Sequence, residues 1–221
     1  MDAIQGLLKQ IYAGKLSAVF LDDLITRIEV ARNQITYTAK QGWDEKDVVL
    51  ITYADQFTNK AEKTLSVFDS FYQQHLADVF NIVHLLPFYP YSSDDGFSVI
   101  DYQQVNPLAG DWKDIRKLGQ SSRLMFDYVC NHISASSEWF KQYLAGNSKY
   151  ENYFISLNEN SDLSAVTRPR RSPLLTPFRC ENGETRHVWT TFSADQIDLN
   201  FAHPDVLRDM LDVLLKYLSE G

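Results

Sequence analysis

Apolar positions along this chain recur with two spacings, which alternate in a regular order. Between residues 3 and 40 they recur every three or four positions, the spacing of a helix, and Gly14 divides this stretch into two helices. Residues 48–55 form a continuous, β-branched apolar run, as in a strand covered on both faces. Residues 64–79 return to the helical spacing, and Asn81 is expected to end that helix.

Two more strands continue this alternation. Residues 82–86 predict a second strand that ends at Pro87, and residues 124–129 predict a third. Between them, residues 111–119 predict a short helix that Asp111 caps. The order strand, helix, strand, helix, strand predicts an α/β fold with a parallel sheet and right-handed crossovers.

The alternation stops after the third strand. Residues 131–200 are rich in Ser, Asn, Arg and Pro, and a simple strand-to-helix loop of this length is rare in a compact domain. We therefore predict a small subdomain inserted at the strand end. Pro204 then starts a helix with one apolar face, and Gly221 stands where a helix-ending glycine belongs.

Three polar residues after the third strand are the first candidate site. Asp127, Asn131 and His132 follow the apolar run, at the strand end where parallel α/β folds carry out their chemistry. A carboxylate and a neutral imidazole together can bond adjacent sugar hydroxyls as acceptor and donor. The alternative is structural, because Asp and Asn are also common turn residues.

Three further segments carry candidate binding residues. The loop after the second strand contains Asp94 and Phe97, which offer a carboxylate and an apolar platform to a ligand, or else belong to a solvated turn. Residues 168–171 are a cationic cluster that suits a phosphate or carboxylate, or is simply solvated. Residues 187–200 combine aromatic, amide and acid side chains, and both a site and a packed hinge fit them.

Composition narrows the class of protein. The 221 residues are 44% hydrophobic and 13% aromatic, which is typical of a globular domain with a sizeable core. The net charge of −8 argues against a general nucleic-acid binder, and the two cysteines predict neither a disulfide framework nor a metal site. The first residues lack a signal-peptide pattern and no apolar run is long enough to span a membrane, so we expect a soluble, cytoplasmic protein.

Three segments resemble glycoside hydrolase family 13, the α-amylase family, and more narrowly its sucrose phosphorylase branch. They are VHLLPFYPYSSDDGFSVIDY, LMFDYVCNHIS and WTTFSADQIDLNF, in this order within residues 48–221. The N-terminal extension and the loop VTRPRRSPLLTPF are most similar to the glucosylglycerate phosphorylases of that branch. The resemblance implies a (β/α)8 TIM barrel with a domain B after strand three, of which this chain carries only the N-terminal portion.

The resemblance also implies an activity. Enzymes of this kind transfer a glucosyl group from glucosylglycerate or sucrose to inorganic phosphate through a covalent glucosyl-enzyme, with retention, and give α-glucose 1-phosphate. Phosphate is then a co-substrate, and no metal or organic cofactor is expected. Small-molecule α-glucosides and phosphate are the expected partners, with no nucleic acid and no membrane.

Seven residues match family positions that bind substrate. In the family pattern Asp94 grips the glucosyl hydroxyls, Phe97 is the aromatic platform and His132 bonds the same sugar. The remaining matches are in the first conserved region and in domain B, near the acceptor and phosphate. The seven are Asp94, Phe97, Asp127, Asn131, His132, Arg168 and Gln196.

The catalytic carboxylates are expected elsewhere. The resemblance implies a nucleophile on strand four, in a segment like R-L-D-A, an acid/base after strand five and a third carboxylate after strand seven. All three are expected beyond Gly221, so no catalytic residue is assigned to this chain and we expect it to be inactive alone. Three strands cannot close a barrel, and we expect a chain that is poorly stable, aggregation-prone or dependent on a partner.

The predicted domain organisation has four parts. Residues 1–45 are an N-terminal helical extension, 46–130 the first three barrel strands, 131–200 domain B and 201–221 the helix that follows it. Two other functions remain open. One is a non-catalytic remnant or saccharide-binding fragment, and the other is an amylosucrase-like or α-amylase-family hydrolase or transglucosylase.

Overall fold

A three-stranded parallel sheet lies at the centre of the fold. The computed structural model describes residues 2–35, 42–167 and 170–221. The sheet contains β1 (Val49–Thr52), β2 (Ile82–Leu85) and β3 (Arg123–Phe126), in the order β1-β2-β3. Both pairs are parallel, as the alternation of strands and helices predicts.

The described ranges contain six α-helices. In chain order they are α1 (Asp2–Ile11), α2 (Ala18–Gln34), α3 (Thr64–His75), α4 (Trp112–Leu118), α5 (Glu138–Leu144) and α6 (Pro204–Glu220). Two of them have the ends that the sequence predicts. Asp111 caps α4 in a capping box and Gly119 follows it, while Pro204 occupies the first turn of α6.

The two faces of the sheet differ in burial. Val83 and Leu85 on β2 point toward the helices and are fully buried. The opposite face carries a row formed by Ile51, His84 and Met125, which are partners in the strand register. In this row Ile51 is 60% and Met125 is 38% exposed. Alternate residues of a strand point to opposite faces, so the row marks the face that a closed barrel turns inward.

The last helix joins the N-terminal helices to the sheet. Its buried residues Val206, Met210, Val213 and Tyr217 recur at helical spacing, as the sequence predicts, and Tyr217 stacks on Tyr89 with ring centroids 4.9 Å apart. On its other side, the guanidinium of Arg27 in α2 donates to both carboxylate oxygens of Asp212 in α6, at 2.7 and 2.8 Å. The N-terminal helices are therefore docked on the strand-bearing part of the chain.

The segment between β3 and α6 has its own antiparallel sheets. β4 (His132–Ser134) pairs with β8 (Gln196–Asp198), and a second sheet has the order β5-β7-β6. The strands of this second sheet are β5 (Ser156–Leu157), β6 (Leu175–Arg179) and β7 (Thr185–Trp189). The sequence predicts an inserted subdomain here. In the structure, β4 at the start of this segment and β8 at its end pair as a two-stranded ribbon.

One expectation from the sequence is wrong, and another lies outside the described residues. The helix predicted over 64–79 ends at His75, and Asn81 does not cap it. The side-chain oxygen of Asn81 instead accepts from the amide of Val48, and its carbonyl accepts from the amide of Arg123. Asn81 thus bonds the residue before β1 and the first residue of β3. Local patterns cannot predict such tertiary contacts. The predicted helical stretch 36–40 lies outside the described residues.

No helix in the described ranges is both long and apolar enough to cross a lipid bilayer.

We expect the isolated 221-residue chain to self-associate. In the described ranges β1 and β3 each pair with β2 alone, and the row around Ile51 presents apolar surface beside these open edges. Sedimentation velocity over a range of concentrations is expected to show oligomers, and Ile51→Glu should reduce them. Val19→Glu is the matched control, because Val19 is also exposed but lies on α2. A soluble monomer with a sharp melt would contradict this expectation.

Candidate functional site

The ribbon of β4 and β8 has one polar and one apolar face. His132 lies opposite Asp198, and Ser134 lies opposite Gln196. The residues between them, Ile133 and its partner in β8, belong to the hydrophobic core. Because side chains alternate along a strand, the four polar side chains share the other face of the ribbon.

The loop after β2 folds back as a tight hairpin over this polar face. Its two ends pair through a Tyr91–Val99 bridge, and the amide of Ser134 donates to the carbonyl of Val99 at 2.8 Å. At its tip Asp94 and Asp95 have φ values of +56° and +49°. Left-handed backbone is uncommon outside glycine, although Asp tolerates it better than most residues. The turn therefore aims the Asp94 carboxylate at the ribbon.

Asp94 and Gln196 meet across this interface. Gln196 donates through Nε2 to Oδ2 of Asp94 at 2.8 Å, although the two residues are 102 positions apart. The Ser193 hydroxyl donates to Oε1 of Gln196 at 3.0 Å, which fixes the orientation of the amide. Gln196 is buried while Asp94 is exposed, so one carboxylate edge remains open to solvent or ligand.

His132 is buried in the centre of this cluster. Its Nε2 is 3.0 Å from the carbonyl oxygen of Phe97, and its Nδ1 is 3.3 Å from Nδ2 of Asn131. A carbonyl only accepts and an amide nitrogen only donates, so these two contacts assign the proton to Nε2, and the Gln196 amide nitrogen 3.2 Å from Nε2 is a neighbour without a hydrogen bond to it. Burial lowers the pKa of His132, outweighing the opposing effect of the Phe97 carbonyl. The imidazole is therefore neutral at pH 7.

Asn131 and Asp198 extend the cluster on the other side of His132. Asn131 donates from Nδ2 to Oδ1 of Asp198 at 3.2 Å. Asp198 also accepts from the amide and the hydroxyl of Thr191, at 2.7 and 2.6 Å. The Phe192 ring then covers His132 edge-on, with ring centroids 5.2 Å apart.

The structure separates Asp127 from the other two residues of the predicted polar floor. The Asp127 Oδ2 atom is 3.0 Å from Nε2 of His84 on the neighbouring strand, and both side chains are about one-fifth exposed. His84 belongs to the row on the open face of the sheet, so this pair lies at the strand ends. Asn131 and His132 instead bond to β8 and the loop after β2.

The predicted cation Arg168 lies outside the described residues, but Arg170 of the same cluster is described. The guanidinium carbon of Arg170 lies 5.9 Å from the centroid of the Phe192 ring, which in turn contacts His132. Arg170 itself is exposed. An exposed cation thus stands beside the polar cluster.

The prediction of site residues missed three contributors. Phe192 contacts His132 and His84 contacts Asp127, while Asp195 bonds serines on both sides of Asp94; none of the three was among the predicted residues. One signal could have found part of the arrangement: the sequences HIS (132–134) and QID (196–198) each place one apolar residue between two polar ones, as half-buried paired strands do.

We expect the stability of the fold to fall as the pH drops from 7 to 5, partly through His132. Its pKa is lowered in the folded state, whereas the unfolded side chain titrates near about 6.5. Below that pH the unfolded state binds the proton more readily, so the free energy of unfolding decreases. Unfolding curves of His132→Gln should show a flatter pH profile, and His187→Gln is the control. Parallel profiles for all three proteins would contradict this assignment.

Comparison with known proteins places this chain in one family. Residues 72–221 match the description "Alpha amylase, catalytic domain". A glucosylglycerate phosphorylase of Escherichia coli (strain K12) is 58% identical over 218 residues, covering 99% of this chain and 39% of that protein. A sucrose phosphorylase of Streptococcus mutans serotype c is 33% identical over 181 residues, covering 77% of this chain and 37% of that protein.

A solved structure shares the fold. The crystal structure of sucrose 6F-phosphate phosphorylase from Thermoanaerobacter thermosaccharolyticum has a TM-score of 0.70 at 30% identity, and the match covers 78% of this chain and 37% of that one. This chain therefore spans less than two fifths of the length of these relatives. The barrel class that the sequence resemblance implies is confirmed, with three of its parallel strands in the described residues. The chain belongs to the alpha-amylase family and is similar to its glucosylglycerate and sucrose phosphorylases.

Proposed function

We propose that this chain is part of a retaining α-glucoside phosphorylase. The reaction transfers a glucosyl group from glucosylglycerate or sucrose to inorganic phosphate by double displacement and releases α-glucose 1-phosphate. The similarity to a glucosylglycerate phosphorylase over 99% of the chain supports glucosylglycerate as the preferred donor. Phosphate is the co-substrate, and the reaction needs no metal or organic cofactor. The cytoplasm is the proposed location.

The observation that carries this proposal is the cluster of Asp94, Gln196 and His132. It combines an acceptor-only carboxylate, an amide that donates to it and a neutral imidazole whose Nε2 lies 3.2 Å from the amide nitrogen. Neighbouring sugar hydroxyls each donate and accept, so they match such alternating groups. The exposed edge of Asp94 is the group we assign to the glucosyl hydroxyls, and Phe97, which packs against the hydrophobic core three residues later, is the proposed apolar platform.

The acceptor is proposed to be an anion because of Arg170. Arg matches phosphate and carboxylate groups with two parallel hydrogen bonds, and both phosphate and glycerate carry such groups. Arg170 stands beside Phe192, next to the cluster, rather than in a distant surface patch. A hydrolase or transglucosylase of the same family has no need of this cation, so its position favours phosphorolysis.

The chemical step is assigned to carboxylates outside these 221 residues. A retaining mechanism needs two carboxyl groups about 5–5.5 Å apart on opposite faces of the sugar. The site carboxylates in the described ranges already have partners, since Asp127 lies against His84 and Asp198 bonds Asn131 and Thr191. The role proposed for the residues described here is to bind and orient the sugar.

One experiment tests the proposed function. The complete gene product is the protein translated from the whole reading frame that contains these codons. It is incubated with phosphate and either glucosylglycerate or sucrose. We expect α-glucose 1-phosphate, detected by phosphoglucomutase coupling, and faster turnover with glucosylglycerate. Formation of free glucose alone would overturn phosphorolysis. The 221-residue chain assayed in parallel is expected to give no product, and turnover by it would contradict the assignment of the catalytic carboxylates.

Removing the Arg170 guanidinium is expected to raise the KM for phosphate. Loss of a charge-assisted hydrogen bond costs about 1.5–3 kcal/mol, which corresponds to about a 10- to 150-fold change. Arg170→Ala in the complete gene product should show this change, with the KM for the glucosyl donor affected less. Arg171→Ala is the matched control, because Arg171 is the exposed neighbour in the same loop. Equal effects of the two substitutions would contradict a specific role for Arg170.

A further inference from the structure

We propose that Asp195 is a positioning residue that holds the loop after β2 in the conformation that presents Asp94 to the sugar. This inference rests on the proposed function, because it concerns the same site. Asp195 directly precedes β8, and it does not belong to the set that the family pattern predicts. Its role follows from the contacts of its carboxylate.

The carboxylate of Asp195 lies within hydrogen-bonding distance of serine hydroxyls from the loop and from β4. The hydroxyls of Ser92, Ser93 and Ser98 donate to its Oδ2 atom, the last at 2.8 Å. The Ser134 hydroxyl lies 3.4 Å from its Oδ1 atom. Three of these four serines flank the Asp94 turn on both sides, so one carboxylate joins the two arms of the loop.

The backbone of Asp195 reinforces the same connection. Its carbonyl accepts from the amide of Ala135 at 2.9 Å and lies 2.9 Å from the Ser98 hydroxyl, whose one proton is shared between this carbonyl and Oδ2. The next residue, Gln196, bonds the Asp94 carboxylate directly. Two consecutive residues of the chain thus hold the base and the tip of one loop.

This contact is needed because the loop does not adopt a relaxed conformation. Asp94, Asp95 and Gly96 all have positive φ, and such a turn persists only when its surroundings fix it. Several hydroxyl donors meet at one point, which an acceptor-only group satisfies and an amide does not. Partial burial raises the pKa of Asp195, but the hydrogen bonds from Ser92, Ser93, Ser98 and the Ala135 amide together outweigh this effect and lower it. The group is therefore ionised at neutral pH.

The test is a double-mutant cycle in the complete gene product, with kcat/KM for phosphorolysis of glucosylglycerate as the readout. Asp195→Ala alone should lower kcat/KM about 10- to 100-fold. In an Asp94→Ala background, the same substitution should have almost no further effect, because Asp195 acts through Asp94. Asp111→Ala is the control, since it removes the cap of α4 and should act independently of Asp94.

A second measurement does not depend on activity. Hydrogen exchange of the amides in residues 92–98 should become at least tenfold faster in Asp195→Ala, while that of β6 and β7 stays unchanged. Should the alanine variant fail to fold, Asp195→Asn replaces it, and a smaller change in the same amides is expected. Full additivity with Asp94→Ala, or unchanged exchange in residues 92–98, would overturn the role of Asp195.

The two proposals fail in different ways. An unmodified protein that uses no α-glucoside would overturn the proposed function, whereas the exchange experiment would still decide whether Asp195 holds the loop. Activity with an additive cycle would overturn the positioning role and leave the phosphorylase assignment intact.

Discussion

Replacing Gly96 with alanine is expected to destabilise the protein by roughly 3–5 kcal/mol, through backbone strain combined with a steric clash. Gly96 has a φ of +104°, a conformation that residues with a Cβ atom rarely adopt. A Cβ atom placed there would lie 2.5 Å from the carbonyl oxygen of Pro87 and 3.0 Å from its Cβ atom. Pro87 lies two residues after the end of β2 and its ring is stiff, so neither contact can relax at small cost.

Gly146→Ala is the matched control for this substitution. Gly146 also has a positive φ, of +78°, but no other atom lies within 4 Å of the position that a Cβ would take. Its replacement should cost only the conformational penalty, about 1 kcal/mol. Urea unfolding of the complete gene product gives the difference between the two variants. Similar midpoints for both would show that Pro87 moves away, and would contradict a rigid loop at this site.

Gly96 also illustrates what the sequence could predict and what it could not. The strand and helix order, the cap of α4 and the start of α6 depend on residues a few positions apart, so local patterns predict them. The predicted end of α3 was wrong by several residues. Asn81, the expected helix end, instead bonds Val48 before β1 and Arg123 in β3. Those partners are distant in sequence, and no local signal contains them.

The candidate site, too, could be predicted from the sequence only in part. The residue types and the family pattern identify Asp94, Asn131, His132 and Gln196 as candidates, and the structure brings them together. The pattern does not predict that Asp127 pairs with His84 instead, since both side chains fit a buried strand end. The left-handed turn that aims Asp94 at Gln196 was also unpredictable, because it depends on contacts that residues about one hundred positions later provide.

Asp94→Ala is expected to reduce activity more than Arg170→Ala, Asp195→Ala or Asp95→Asn. If Asp94 grips the glucosyl hydroxyls, its loss removes charged hydrogen bonds to substrate and leaves the amide of Gln196 without its acceptor. Sites that bond a substrate hydroxyl lose about 10²- to 10⁴-fold when that pairing is broken. We expect a decrease of this size in kcat/KM for phosphorolysis of glucosylglycerate, while the KM for phosphate changes little.

Asp95→Asn is the control that separates the Asp94 carboxylate from the loop that carries it. Asp95 has the same left-handed backbone, and Asn tolerates that conformation, so the loop should keep its shape. Its kcat/KM should stay within about twofold of the unmodified protein, because substitutions away from specific contacts have small effects. Titration with glucose, followed by calorimetry, should show binding to the Asp95 variant and its loss in Asp94→Ala. Equal losses in both variants would instead assign the effect to the loop as a whole, and Asp94 would lose its role as the hydroxyl-binding carboxylate.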